Sequence, residues 1–203
     1  MRSIDHIVFD IGRVLLEYEP AKAFQMLIAD PAERHRFLTE VCSPAWNLEQ
    51  DRGRPWPVAE AALIAIHPEK APLIRAFRTE WHAMIGPPID HNVALLRRFI
   101  GEGRDVTLLT NFADDTFAEA SQRWSFLREP RGATVSGQLG IIKPDVAIYQ
   151  HHVRAFGLAP DRTLFIDDNA DNVASAKLCD WHAVQFHDFA TLQRDLVAFA
   201  SWP

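Results

Sequence analysis

Four short apolar runs, Ile4–Phe9, Val106–Leu109, Thr163–Ile166 and Ala183–Phe186, stand apart along the chain and are the length of buried strands. Between and after them, Asn92–Glu102, Asp114–Trp124, Asp145–Phe156, Ala170–Cys179 and Phe189–Phe199 carry apolar residues at helical spacing, several beginning with Asp or Asn. Strands alternating with helices predict an α/β fold, here a Rossmann-like three-layer core with a parallel sheet. Residues 17–86 follow another rule. They offer the helical segments Ala21–Ile28, Pro31–Val41, Val58–Ile66 and Pro72–Met84 and no strand. This stretch is expected to be a small inserted helical cap, leaving 1–16 and 87–203 as the catalytic core. Gly86-Pro87-Pro88 and Glu17-Tyr18-Glu19-Pro20 mark the hinges. A cap of that size beside the strand ends would exclude water and select the substrate.

The polar residues that stop the apolar runs carry the chemistry. Thr163-Leu-Phe-Ile ends on the adjacent carboxylates Asp167 and Asp168, and ligands of open α/β sheets bind just beyond such strand ends. Two like charges about 4 Å apart repel by roughly 4 kcal/mol at an effective dielectric near 20, so the pair invites a hard cation such as Mg²⁺. The competing reading is that Asp168 or Asn169 caps the helix starting near Ala170. The first strand ends on Asp10, with Gly12 read as permitting a tight backbone turn. A third ends at Thr110-Asn111, and Gly140-Ile-Ile-Lys143-Pro144 places a lysine before a helix that Pro144 is expected to initiate. Phosphoryl transfer needs these types together. Asp10 would be the nucleophile, forming an aspartyl-phosphate. Mg²⁺ on Asp10, Asp167 and Asp168 would offset the repulsion between two anions, Thr110, the Asn111 amide and Lys143 would bind phosphoryl oxygens, and Lys143 would keep Asp10 ionised.

In this order and spacing the four segments resemble the motifs of the haloacid dehalogenase (HAD) superfamily, most of whose members are Mg²⁺-dependent phosphatases. Within it, Phe9-Asp10-Ile-Gly12, Ser136-Gly-Gln-Leu-Gly140-Ile-Ile-Lys143-Pro144 and Ile166-Asp-Asp-Asn-Ala-Asp-Asn172 are similar to bacterial glucose-1-phosphate phosphatases and to the phosphatase domain of soluble epoxide hydrolases. The resemblance implies that Asp10 is the nucleophile, Thr110 with Asn111 and Lys143 the phosphate-binding groups, and Asp10, the Gly12 carbonyl, Asp167 and Asp168 the metal site. It further implies that Trp46-Asn-Leu-Glu-Gln-Asp51-Arg52-Gly53-Arg54 is a cap loop facing the site. One position departs from the family pattern: Gly12 stands where most of these phosphatases have a second aspartate as general acid and base. Proton transfer from such a group is worth about 10²–10⁴-fold, and Glu17, Asp51, Asp114 and Asp115 are candidate substitutes.

Composition narrows the partners. A net charge of −6 without any Lys/Arg run argues against nucleic-acid or anionic-membrane binding, and no apolar stretch approaches a membrane span. Residues 1–6 are too short and acidic for a signal peptide. Cys42 and Cys179 have no metal spacing and read as core thiols of a reducing, cytoplasmic protein. The nine histidines show no ligand spacing and read as surface or core-edge residues, while Trp46 and Trp56 are placed to meet a sugar face. The expected protein is a phosphomonoester hydrolase, monomer or homodimer, acting on a small phosphorylated metabolite such as a sugar phosphate. The alternatives are a metal-free 2-haloacid dehalogenase, against which Asp167-Asp168 argue, and a weakly active or non-catalytic relative, which Gly12 keeps open. A receiver-type phosphorylation switch would carry its acid pair on the first strand rather than the last.

Overall fold

The computed structural model describes residues 4–199. Residues 1–3 and 200–203, which belong to the expected core, lie outside the described residues. Seven strands form: β1 (His6–Phe9), β2 (Leu16–Tyr18), β3 (Ile85–Pro88), β4 (Asp105–Thr110), β5 (Ala133–Val135), β6 (Thr163–Asp167) and β7 (His182–Gln185). Five of them make one parallel sheet in the order β5-β4-β1-β6-β7. The chain leaves β1 first for β4 on one side and later for β6 on the other, so the sheet's switch point, and hence its crevice, lies at the end of β1.

Side-chain alternation builds the layers. Ile7 and Phe9 of β1, Val106 and Leu108 of β4, and Leu164 and Ile166 of β6 join one buried apolar cluster, whereas Val8, Leu109 and Phe165 join the other. The first face is covered by α7 (Asp90–Gly101), α8 (Asp114–Arg123) and α12 (Phe189–Ala198), the second by α10 (Val146–Phe156) and α11 (Ala170–Leu178). Among the described residues no helix is long and apolar enough to cross a membrane.

The inserted segment holds α1 (Pro20–Ala23), α2 (Pro31–Arg36), α3 (Pro44–Asp51), α4 (Trp56–Ile66), α5 (Ala71–Thr79) and α6 (Trp81–Met84). Its aromatic heart joins Phe24 to Phe37 and Phe77, and Phe77 to Trp46, with ring centroids 5.3–6.0 Å apart. These rings are continuous with the apolar cluster of the sheet, so cap and core share one interior.

Several local expectations change. The hinges at 16–18 and 85–88 are strands, β2 and β3, paired antiparallel with Leu16 opposite Pro88 and Tyr18 opposite Ile85; their Pro and Glu content hid a ribbon that two short segments make only together. The 46–54 segment is mostly helix, because Ser43 caps α3 by accepting the Trp46 N–H at 3.1 Å. Pro144 does not initiate α10: the Lys143–Pro144 peptide is cis and Asp145 caps the helix. The short edge strand β5 carries too few apolar residues to register as a run.

Candidate active site

Asp10 directly follows β1, and Asp167 closes β6 with Asp168 next. A ligand oxygen from each of these carboxylates lies within 4.8 Å of the others. Thr110 is the last residue of the neighbouring β4, and its buried hydroxyl has no protein hydrogen bond among the described residues. Lys143 arrives from the loop before α10, 2% exposed, with Nζ 2.8 Å from Asp10 Oδ1 and 2.7 Å from Asp167 Oδ2. It donates a further hydrogen bond to the Leu109 carbonyl at 3.0 Å, so all three of its protons are engaged. Asn111 positions it. The Asn111 side chain accepts from the Lys143 N–H at 2.8 Å and donates to the Lys143 carbonyl at 3.0 Å. The side-chain amide expected to help hold phosphoryl oxygens is thus committed to the lysine loop.

The acid pair separates into two environments. Asp167 is wholly buried, and its oxygens accept from Lys143, the Asn169 N–H and both reaches of the Asn172 amide. Asp168 is half-buried, with Arg13 3.9 Å away. The helix cap is neither acid, since Asn169 accepts the Asp171 N–H at 2.8 Å. Burial pushes the Asp10 carboxyl up to about 7, with Lys143 pulling it back and Asp167 pushing further. Lys143 thus acts on Asp10 in the expected direction, toward the ionised form, and burial opposes it more strongly. Burial acts to lower the Lys143 pKa, but the Asp10 and Asp167 carboxylates outweigh it and raise the value. Asp168 is raised, first by burial and then by Asp167. Three carboxylates around one ammonium leave an excess of negative charge with oxygen donors only, a set that fits Mg²⁺.

Gly12 is not the turning residue. The left-handed backbone falls on Arg13, at φ 56°, while a Cβ built on Gly12 would meet nothing within 4 Å. The glycine therefore answers no steric demand. Of the substitutes for the missing acid, Asp115 is bound by Arg78 at 3.1 Å and by Trp56 Nε1, and exposed Asp114 accepts from Gln138. Glu17 and Asp51 instead line a cavity of about 110 Å³ with Gly12 and Asn111. Its apolar lining comes from Tyr18, Trp56, Trp81, Ile85 and Phe112. Sequence reasoning missed Tyr18, Trp81 and Phe112, whose roles depend on the ribbon and on a short helix. Trp46 turns inward and packs on Phe77 instead of facing the cavity. His152 is no surface or core-edge residue: it is wholly buried between Thr107 and Thr134, with ring nitrogens 2.9 and 2.7 Å from their hydroxyls.

Solved structures of HAD family enzymes share this fold, a parallel sheet with an inserted helical segment. A HAD family enzyme from Bacteroides thetaiotaomicron, as a magnesium complex, superposes with a TM-score of 0.74 at 17% identity, over 95% of this chain and 100% of that one. The same wild-type enzyme in complex with magnesium and inorganic phosphate gives 0.72 at 18% identity, over 94% and 99%. L-2-haloacid dehalogenase from Xanthobacter autotrophicus, with chloropropionic acid covalently bound, gives 0.67 at 17% identity, over 98% and 85%. No protein-family model matches the chain. A sesquiterpene phosphatase of Aspergillus oryzae is 25% identical over 174 residues, 84% of this chain and 83% of that protein. A drimenol cyclase of Aspergillus calidoustus is 36% identical over 61 residues; the match spans 30% of this chain and only 12% of the cyclase.

Proposed function

We propose that this protein is a Mg²⁺-dependent phosphomonoester hydrolase working through an aspartyl-phosphate on Asp10. The observation that carries the reading is the Lys143 ammonium held between Asp10 and Asp167, with Asp168 completing an oxygen cluster whose carboxylates lie within 4.8 Å. Asp10 Oδ1 is occupied by the Ile11 N–H and Lys143, which leaves Oδ2 without a protein hydrogen bond among the described residues and available to attack phosphorus. Thr110 binds and orients the phosphoryl oxygens, the positive charge of Lys143 offsets theirs, and Asn111 holds Lys143 in place. Asp10, Asp168 and the Gly12 carbonyl hold the cation, with Asp167 orienting Lys143 and shaping the charge of the pocket. When bound, Mg²⁺ supplies the positive charge that lets a phosphate dianion approach a carboxylate.

The substrate is a small phosphorylated metabolite. Aromatic side chains in the lining supply flat faces for a sugar ring and equally an apolar surface for a terpenoid alcohol, the latter in keeping with the name of the Aspergillus oryzae relative. Hydrolysis of p-nitrophenyl phosphate in the presence of Mg²⁺ tests the reading. EDTA is expected to abolish turnover, added Mg²⁺ to restore it, and Asp10→Asn to reduce it by about 10⁴-fold or more. Equal activity of wild type and Asp10→Asn, or release of halide from a 2-haloacid in EDTA, overturns it.

A further inference from the structure

Resting on the phosphatase reading, we infer that Asp51, a residue of the cap, supplies the proton transfers for which Gly12 has no side chain. Its place is set by both of its ends. Ser136 Oγ donates to the Asp51 carbonyl at 2.5 Å and accepts the Phe112 N–H at 2.9 Å, tying the end of α3 to the loop that follows Thr110 and Asn111. The Asp51 carboxylate accepts from the Asn47 side-chain amide at 3.4 Å, and the backbone N–H of Ala113, from the same loop as Phe112, is near enough to act against the rise of its pKa. Behind it, Gln50 is wholly buried, donates to the Trp46 carbonyl and accepts from Arg54, closing the helix end. Gly53, at φ 102°, comes so near the core that a Cβ there would sit 2.9 Å from the Gly137 carbonyl. The cap is thus latched to the core at the residues flanking Asp51.

The position suits a proton carrier. Asp51 lines the 110 Å³ cavity beside Gly12 and also the larger cleft of about 910 Å³ between cap and core that holds Arg13 and Asn169. Among the described residues only Tyr18, Asn47 and Asp51 border both, so Asp51 opens on the space beside Gly12 and Asn111 and on the cleft beside Asn169. Of the other acids considered for this role, Asp115 is tied to Arg78, Asp114 is exposed, and Glu17 borders the smaller cavity alone. Burial also pushes the Asp51 carboxyl up to about 7; Asp10 adds to the push, while the Ala113 N–H and Lys143 oppose it. A carboxyl near that value both gives and takes a proton at neutral pH.

In the first step Asp10 forms a bond to phosphorus, the bond from phosphorus to the ester oxygen breaks, and the Asp51 proton passes to that oxygen, releasing the alcohol. In the second, water attacks phosphorus and gives a proton to Asp51. The bond between phosphorus and Asp10 then breaks, its electron pair returns to the carboxylate, and inorganic phosphate leaves. Neither step needs a further reagent.

Rapid-quench kinetics with Mg²⁺ separates the steps. For Asp51→Asn, which retains an acceptor for the Asn47 amide, p-nitrophenyl phosphate is expected to give a first-turnover burst within about tenfold of wild type, because its leaving group needs no acid. Steady-state turnover then falls by about 10²-fold or more as water attack loses its base. During that burst the peptide carrying Asp10 gains the mass of a phosphoryl group. With an alkyl phosphate the Asp51→Asn burst disappears, whereas the exposed Asp114, replaced as Asp114→Asn, leaves both esters within about threefold of wild type. Equal losses on both esters in burst and steady state, no change in Asp51→Asn, or the split pattern in Asp114→Asn overturns Asp51 while leaving the phosphatase reading intact. A wild type inert toward both esters overturns that reading and this one together. Should Asp51→Asn fail to fold, judged by thermal melting, Asp51→Glu carries the test: retained burst and steady state within about tenfold on both esters supports a proton carrier, and loss of both steps alike does not.

Discussion

The core and the cap share the walls of the cavities between them but hold their functional groups in opposite ways. In the core, Asp10, Thr110 and Asp167 sit at or beside the ends of adjacent parallel strands, fixed by the register of β1 with β4 and β6. Each charge there has a named partner. In the cap, Tyr18, Asp51, Trp56 and Trp81 come from a ribbon and from helices as short as four residues, which have no stability of their own. Aromatic contacts hold the two tryptophans instead, Trp56 against Phe77 and Trp81 against Phe112. On the proposed reading the contrast is a division of labour: the groups that would meet phosphorus are placed by the sheet, while those that would meet the leaving group stand on short helices and a ribbon.

The sharpest way to break that contrast is Lys143→Met. It leaves Asp10 and Asp167 buried without their shared cation, and is expected to cost about 3–5 kcal/mol of stability in urea unfolding without metal. Turnover of p-nitrophenyl phosphate should fall by about 10²–10³-fold. A fall in activity with unchanged unfolding would mean that the core's charges are not coupled as described. A smaller effect should follow Trp81→Leu in the cap: KM for a bulky apolar phosphate rises about tenfold, while kcat on p-nitrophenyl phosphate stays within about threefold. If kcat collapses instead, cap and core do not divide the work.

The smallest effect tests a polar group of the core that takes no part in chemistry. Burial pushes the His152 imidazole down to about 3 from its ordinary 6.5. The folded protein therefore keeps it neutral while the unfolded chain protonates it below about 6.5. Its contribution is present in full above that pH and is lost, at up to about 1.4 kcal/mol per pH unit, as pH falls toward 3. The melting temperature should drop less steeply between pH 6.5 and 4.5 in His152→Gln than in wild type, with turnover at neutral pH unchanged within about twofold.

What was legible in the sequence follows the same division. Asp10, Thr110, Lys143, Asp167 and Asp168 were readable because each interrupts or follows an apolar run, and a strand end is a position that local pattern reveals. Asn111 was legible as a site residue but not in its role, since its bonds to the Lys143 backbone depend on two loops meeting. The β2–β3 ribbon and the cavity-facing Trp81 were not legible, because their partners lie dozens of residues away and no local periodicity marks them. Asp51 stood among four acids of equal standing until the Ser136 contact and its place on both cavities separated it from the rest.

The pairing of Leu16 with Pro88 brings the entry and exit of the cap side by side. Seen as a problem in chain surgery, the whole insertion is a plug with adjacent leads. A turn of a few residues would bridge the cut, and the sheet, whose strands all lie outside the plug, would not need to be rewired. The same adjacency makes the position an acceptor for a foreign lid, so that the crevice at the strand ends and the walls above it become separately exchangeable parts.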